Sequence, residues 1–303
     1  MTVTGRSIGL RGAFTALVTP FGEDGCVDLR SLAALAEWQI ASGIQGLVPC
    51  GTTGEGATLL ADEHEQVIAT VVRVARHRVP VIAGCGSNDT RQTIAAARRA
   101  VAAGADALLV VTPYYNKPNR SGMIGHYEAV AASVPVPIVP YNVPGRTGQN
   151  LGAELILRLA SIPGIVGVKE AAANLEQLAA IIEGRPDGFA VLSGDDALAM
   201  PAVALGADGL ISVVSNEAPA ETAAMIAAAL LGDLSAARLV HYRLLPLMRA
   251  NFIETNPVPV KVAMALLGRC RELVRAPLGP PEAATRQAVA EALAKAGLAG
   301  APA

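Results

Sequence analysis

An excess of charge of either sign is what this sequence of 303 residues most conspicuously lacks: 24 Lys and Arg stand against 26 Asp and Glu, for a formal net charge of −2. Such a chain has no basic field to draw in nucleic acid or anionic lipid, so an anionic substrate must be held by a few local groups. Cysteine is scarce. Cys26, Cys50, Cys85 and Cys270 fit neither the paired spacing of a zinc site nor a disulfide framework, and Cys50 and Cys85, which end apolar runs, are expected to be buried thiols. Long apolar runs are missing as well. A membrane-spanning helix needs roughly 20 apolar residues, whereas the uncharged stretch 129–145 is broken by Pro135, Pro137, Pro140 and Pro144, and 38–54 ends in a Gly/Thr turn. Residues 1–11 carry Arg6 and Arg11 but no apolar run of leader length, so no export signal is expected. These absences point to a soluble, cytoplasmic protein without membrane or nucleic-acid partners. Histidine is limited to His64, His77, His126 and His241, all expected on helix surfaces, which leaves no histidine-based triad.

What is present is a repeat. Eight short apolar runs, at 13–20, 46–51, 81–86, 107–113, 137–142, 165–170, 189–195 and 209–215, end in polar or turn residues. They are rich in Val, Ile and Leu and do not alternate with polar residues, the pattern of strands buried on both faces. Alanine-rich amphipathic segments such as 29–42, 61–77 and 90–103 lie between them. Eight βα units in one chain favour an α/β fold of the closed (β/α)8 TIM-barrel type over an open sheet. Residues 1–216 are expected to form the barrel, and 217–303 a C-terminal helical extension packed on it, with 297–303 frayed.

In such a barrel the chemistry sits at the C-terminal ends of the strands. The run ends hold Thr19, Thr52, Thr53, Ser87, Asn88, Tyr114, Tyr115, Tyr141, Lys169, Glu170, Asp195 and Ser215. A lysine ending an apolar strand points into a crowded, poorly solvated cavity, where a neutral amine can attack a keto group and form an imine. A lysine paired with a rim carboxylate is the alternative. Imine formation needs proton transfer, and Tyr141, at the end of the neighbouring run, together with Thr52 and a second tyrosine, makes a plausible relay. Each tyrosine can equally be an amphipathic cap on the core. The turn 51–56 offers N–H groups and threonine hydroxyls to an anion such as a carboxylate, and Arg146 can bind one bidentately, unless they are an ordinary turn and a solvated loop arginine. Asp195 and Asp196, with no histidine beside them, make a poor metal set; a turn presenting backbone carbonyls is the better reading, and no metal or cofactor is expected.

Six strings in order, Gly51-Thr52-Thr53-Gly54-Glu55, Pro113-Tyr114-Tyr115-Asn116-Lys117-Pro118, 141–148, Val168-Lys169-Glu170-Ala171, Ser193-Gly194-Asp195-Asp196 and 256–261, resemble the dihydrodipicolinate synthase family of pyruvate-dependent class I aldolases, over about residues 12–278. The resemblance implies condensation of pyruvate with aspartate 4-semialdehyde on the route to lysine. It assigns imine formation to Lys169, general acid/base work to Tyr141, and the relay to Thr52 and to Tyr115, which in the family reaches into a neighbouring subunit. Thr53 would hold the pyruvate carboxylate, Arg146 the carboxylate of the semialdehyde, and Gly194 and Ile211 would give main-chain contacts. The family is usually a homotetramer of two tight dimers. Related sugar-acid lyases share the lysine but usually depart at positions matching Thr52 and Arg146; such a lyase, and a barrel that binds ligand without catalysis, are the alternatives. Gly56, Ala61 and Gln92 stand where lysine-inhibited members tend to have Ser, His and Glu, while His64, Asn88 and Tyr114 remain, so feedback by lysine is expected to be weak or absent.

Overall fold

The computed structural model describes residues 8–298; the 1–11 and 297–303 expectations fall largely on 1–7 and 299–303, outside those described. The element order is β1 (Gly12–Ala16), α1 (Leu29–Ala41), β2 (Gly46–Val48), α2 (Ala61–Ala75), β3 (Ile82–Gly84), α3 (Thr90–Ala102), β4 (Ala107–Val111), α4 (Arg120–Ser133), β5 (Ile138–Asn142), α5 (Pro144–Thr147), α6 (Gly152–Ala160), β6 (Gly167–Glu170), α7 (Leu175–Gly184), β7 (Ala190–Ser193), α8 (Asp196–Ala204) and β8 (Gly209–Ser212). A 3-10 turn at Val214–Asn216 leads to α9 (Pro219–Leu230), α10 (Leu234–Ala250), α11 (Val258–Leu266) and α12 (Ala283–Lys295). The strands pair in parallel in the order β2-β1-β8-β7-β6-β5-β4-β3. The ring closes where the Leu47 N–H donates to the Pro80 carbonyl at 3.0 Å and the Gly84 N–H to the Pro49 carbonyl at 2.9 Å. Each of the eight apolar runs overlaps a strand shorter than itself, and in all but those of β5 and β6 the last residues of the run leave the ladder toward the mouth.

The runs do not alternate because both faces are buried. Along β4, Ala107 and Leu109 face an inner core with Phe14, Val139 and Ile211, whereas Leu108 and Val110 face an outer core with Val67, Ile68 and Met123 beneath the helices. Helix starts are set by short acceptors. Asp28, Asp89, Asn119, Asn174 and Asp233 each accept a first-turn N–H at 2.8–3.1 Å, which satisfies a donor with no partner inside the helix. Helix α9 packs on β1 and β8, and α10 stacks on α8, α9 and α12. Among the described residues no helix is long and apolar enough to cross a membrane.

The histidine expectation needs correction. His77 is exposed, but His64, His126 and His241 are buried. Helical character gave no indication of which face each occupies. Nε2 of His64 lies 2.7 Å from the Gly84 carbonyl, and Nδ1 of His126 lies 3.0 Å from the Thr90 hydroxyl. Burial lowers the pKa of all three, His126 to about 4. Cys50 and Cys85 are buried as expected.

Two buried carboxyls follow the last strands. Asp196 accepts from the Ser212 hydroxyl and from the N–H groups of Val213 and Val214 at 2.6–3.0 Å, so both of its oxygens are engaged within the fold. Among the described residues Glu217 receives a single donor, Asn251 Nδ2 at 3.0 Å, and its Oε1 has no partner. Burial therefore raises its pKa well above the ordinary value, so as pH rises the unfolded chain, near pH 4.3, releases this proton before the folded chain does. The stability it confers is complete below that pH and is lost as pH rises toward the folded pKa. The Glu217→Gln variant lacks this titration. Its stability relative to the parent should grow by up to about 1.4 kcal/mol per pH unit between pH 5 and 8, measured by denaturant unfolding across that range; a pH-independent difference refutes a protonated Glu217.

Candidate active site

Tyr141 and Lys169 are cross-strand neighbours on β5 and β6, so their side chains leave the sheet on one face. Nζ of Lys169 lies 4.2 Å from the centroid of the Tyr141 ring. The lysine is 5% exposed. Among the described residues no ion pair or hydrogen bond holds its amine, in contrast to Lys261, so the rim-carboxylate alternative does not apply. The adjacent Glu170 turns away and accepts from Asn142 Nδ2 at 3.0 and 3.1 Å, the Ala172 N–H at 2.8 Å and Gln177 Nε2 at 3.3 Å. Burial raises the pKa of Asp195 and the charge of Lys169 opposes the shift.

Gly194 fits against the lysine. A Cβ there would stand 2.9 Å from Lys169 Cε and 2.7 Å from the Ala171 Cβ, so a larger residue would displace the amine. Its N–H bonds to the Glu170 carbonyl at 2.7 Å. Ile211 lies in the inner core. Beside Tyr141 opens a cavity of about 670 Å³, walled among others by Thr52, Tyr114, Tyr141, Arg146, Asn256 and His64. Lys169, Thr53, Gly194 and Ile211 lie outside its walls, and Tyr141 is the residue that faces both the cavity and the amine. Tyr115 is not brought into this group: it is 89% exposed, at φ 68 in the left-handed region, which L side chains seldom adopt.

A network that the sequence reading did not assign fixes the threonine turn. Glu55, itself at φ 53, is buried and pairs with the fully buried Lys261 of α11. Nζ of Lys261 also donates to the Leu273 carbonyl at 2.7 Å and lies 4.1 Å from the Phe21 ring centroid. The second Glu55 oxygen accepts the Arg275 N–H at 2.9 Å, and Arg275 reaches Glu63 at 2.5 Å. One turn earlier, Asn256 Nδ2 donates to the Thr53 hydroxyl at 3.0 Å, and its carbonyl accepts from Arg146 Nη2 at 3.1 Å. The only trace in the sequence is that Glu55, Asn256 and Lys261 belong to the quoted strings.

Comparison with known proteins gives a consistent picture. The model of the Dihydrodipicolinate synthetase family matches residues 9–296. The chain is 51% identical over 268 residues to the 4-hydroxy-tetrahydrodipicolinate synthase of Syntrophus aciditrophicus, covering 88% of this chain and 92% of that one. Among solved structures it resembles the chloride-inhibited dihydrodipicolinate synthase from Acinetobacter baumannii complexed with pyruvate, at 43% identity, TM-score 0.93 and coverage of 95% and 99%. It also resembles the synthase of Cyanidioschyzon merolae with lysine bound, at 39% identity, TM-score 0.91 and coverage of 98% and 100%.

Removing one member of a buried ion pair strands the other charge. Lys261→Met should therefore destabilise the fold by about 3–5 kcal/mol, whereas the double variant Glu55→Gln, Lys261→Met should recover a large part of that loss. Denaturant unfolding of the three proteins measures both, and equal losses in the single and double variants would contradict the assignment.

Proposed function

The chain belongs to the dihydrodipicolinate synthetase family, and we propose on that premise that it is a Schiff-base lyase joining pyruvate to aspartate 4-semialdehyde to give 4-hydroxy-tetrahydrodipicolinate. The observation that carries this reading is a buried lysine amine, unpaired among the described residues, against the face of a tyrosine at the strand ends. The Lys169 amine adds to the keto carbon of pyruvate, and water leaves as the protonated imine forms. The iminium withdraws electrons, the methyl carbon gives up a proton, and the resulting enamine carbon attacks the aldehyde, forming one C–C bond. The amine of the second substrate then displaces Lys169 and closes the ring.

Tyr141 is the proton donor and acceptor for these steps, linked through Thr52 to Tyr115 of a neighbouring subunit. The exposure of Tyr115 supports that placement, and a homotetramer of two tight dimers is the assembly that follows. Thr53 and the main chain at Gly194 and Ile211 bind pyruvate, and Arg146 binds the carboxylate of the semialdehyde, all without a cofactor or metal and in the cytoplasm. Borohydride with pyruvate should fix a stable adduct on the Lys169 peptide, and Lys169→Ala should lose both adduct and turnover while keeping its fold; a wild-type adduct on any other lysine would end this reading. Arg146→Ala should raise the KM for the aldehyde roughly tenfold to a hundredfold, as for the loss of a charged hydrogen bond, with pyruvate adduct formation little changed. An equal loss of both would make Arg146 a structural residue.

Gly56, Ala61 and Gln92 line the cavity together with His64 and Tyr114. Gly56, Ala61 and Gln92 themselves offer an ammonium–carboxylate ligand no charged partner, and each missing charged hydrogen bond is worth about 1.5–3 kcal/mol. Lysine at micromolar concentration should leave the steady-state rate unchanged; half-inhibition there would refute the expectation.

A further inference from the structure

The strand that carries Lys169 contains one residue too many for its neighbour. Ile138 of β5 faces Ile165, an offset of 27, yet Tyr141 faces Lys169, an offset of 28. On its other side β5 pairs with β4 at a constant offset of 30 from Leu108↔Ile138 to Val111↔Tyr141, so the extra residue lies in β6. The packing gives the same answer independently. Ile165 and Val168 both face the outer core, although a regular strand would send residues three apart to opposite faces. Gly167 lies between them, where a Cβ would meet the Ala190 carbonyl oxygen at 2.6 Å and the Ala190 Cβ at 3.1 Å.

Opposite the extra residue stands Pro140, in the middle of β5. In an unbroken ladder the N–H at 140 would bond to the Val166 carbonyl. Proline has no N–H, and that carbonyl instead accepts from the Ala190 N–H of β7 at 2.9 Å. The chain thus has two registers to choose from. With the bulge, Lys169 faces inward beside Tyr141. In a continuous ladder from Ile165, Val168 would face inward and Lys169 would point into the helix layer, because a slip of one residue inverts every side chain.

We propose that Gly167, with Pro140 opposite it, is a positioning residue that turns the Lys169 amine into the barrel. Gly167 permits the bulge by adding no side chain against β7, and Pro140 withholds the ladder bond that would favour the continuous register. Bulges beside active sites re-aim side chains in this way. The inference rests on the imine reading of Lys169.

The test is an active-site titration: the fraction of chains that borohydride fixes to pyruvate at Lys169, and the rate of fixation, with circular dichroism and melting temperature measured alongside. Chains in the continuous register are dead whereas the others react normally, so a register effect lowers the trapped fraction at unchanged fold content. Gly167→Ala should lower adduct formation about a hundredfold, the scale of a 1 Å misplacement. Pro140→Val, which restores the N–H, should lower the trapped fraction severalfold while staying folded. Should Gly167→Ala fail to fold, Pro140→Val decides alone. A folded Gly167→Ala, or failing that Pro140→Val, with wild-type fraction and rate overturns the proposal. If the wild-type chain itself forms no adduct, it is the imine reading that fails.

Discussion

The ion pair between Glu55 and Lys261 fixes the relation between the barrel and its C-terminal helices. Taking two charges out of water costs several kcal/mol per ion, and their mutual attraction offsets this only when the remaining donors and acceptors are also satisfied. Here they are: the Leu273 carbonyl, the Arg275 N–H and the face of Phe21 complete the surroundings. An apolar contact between α11 and the turn after β2 would tolerate sliding, whereas two buried charges are satisfied in one arrangement. That arrangement holds Glu55 in a left-handed conformation, and with it the turn that presents Thr52 and Thr53.

The chain buries two lysines and treats them oppositely. Lys261 is surrounded by acceptors and does structural work. Lys169 has the ring of Tyr141 beside it and, among the described residues, no acceptor, and its neighbour Glu170 spends both oxygens on Asn142, Ala172 and Gln177. An amine engaged by no carboxylate is free to swing onto a carbonyl carbon. The same fold thus uses compensation to fix one lysine and its absence to leave the other available.

Much of the architecture was legible because it follows from local rules. Eight apolar runs without alternation mean strands covered on both faces, and all eight contain strands. The candidate residues could be found because barrel chemistry collects at strand ends, which places Tyr141 beside Lys169, as the register does. What escaped depends on contacts distant in sequence. Whether His64 and His126 face in or out is set by the helices and strands packed over them, not by their own segments. The bulge before Lys169 was illegible because Gly167 reads as one more small residue in an apolar run, and it is the register and the packing of the folded chain that reveal it. The exposure of Tyr115 is likewise a property of the whole surface.

Asn256 makes the two proposed substrate-binding regions depend on each other. Its side chain holds the Thr53 hydroxyl and its carbonyl holds the Arg146 guanidinium, so the group that would grip the first substrate and the group that would select the second are anchored to one residue. That residue lies just ahead of α11, whose position the buried Lys261 fixes. Arg146 is exposed in a short helix after β5 and would otherwise sample many rotamers, each costing binding entropy when it is immobilised. Tied to Asn256, it is already oriented before a second carboxylate arrives. On the proposed roles, the C-terminal helices act on the site by positioning it: they would determine how much conformational freedom the aldehyde-binding side loses at the moment of binding.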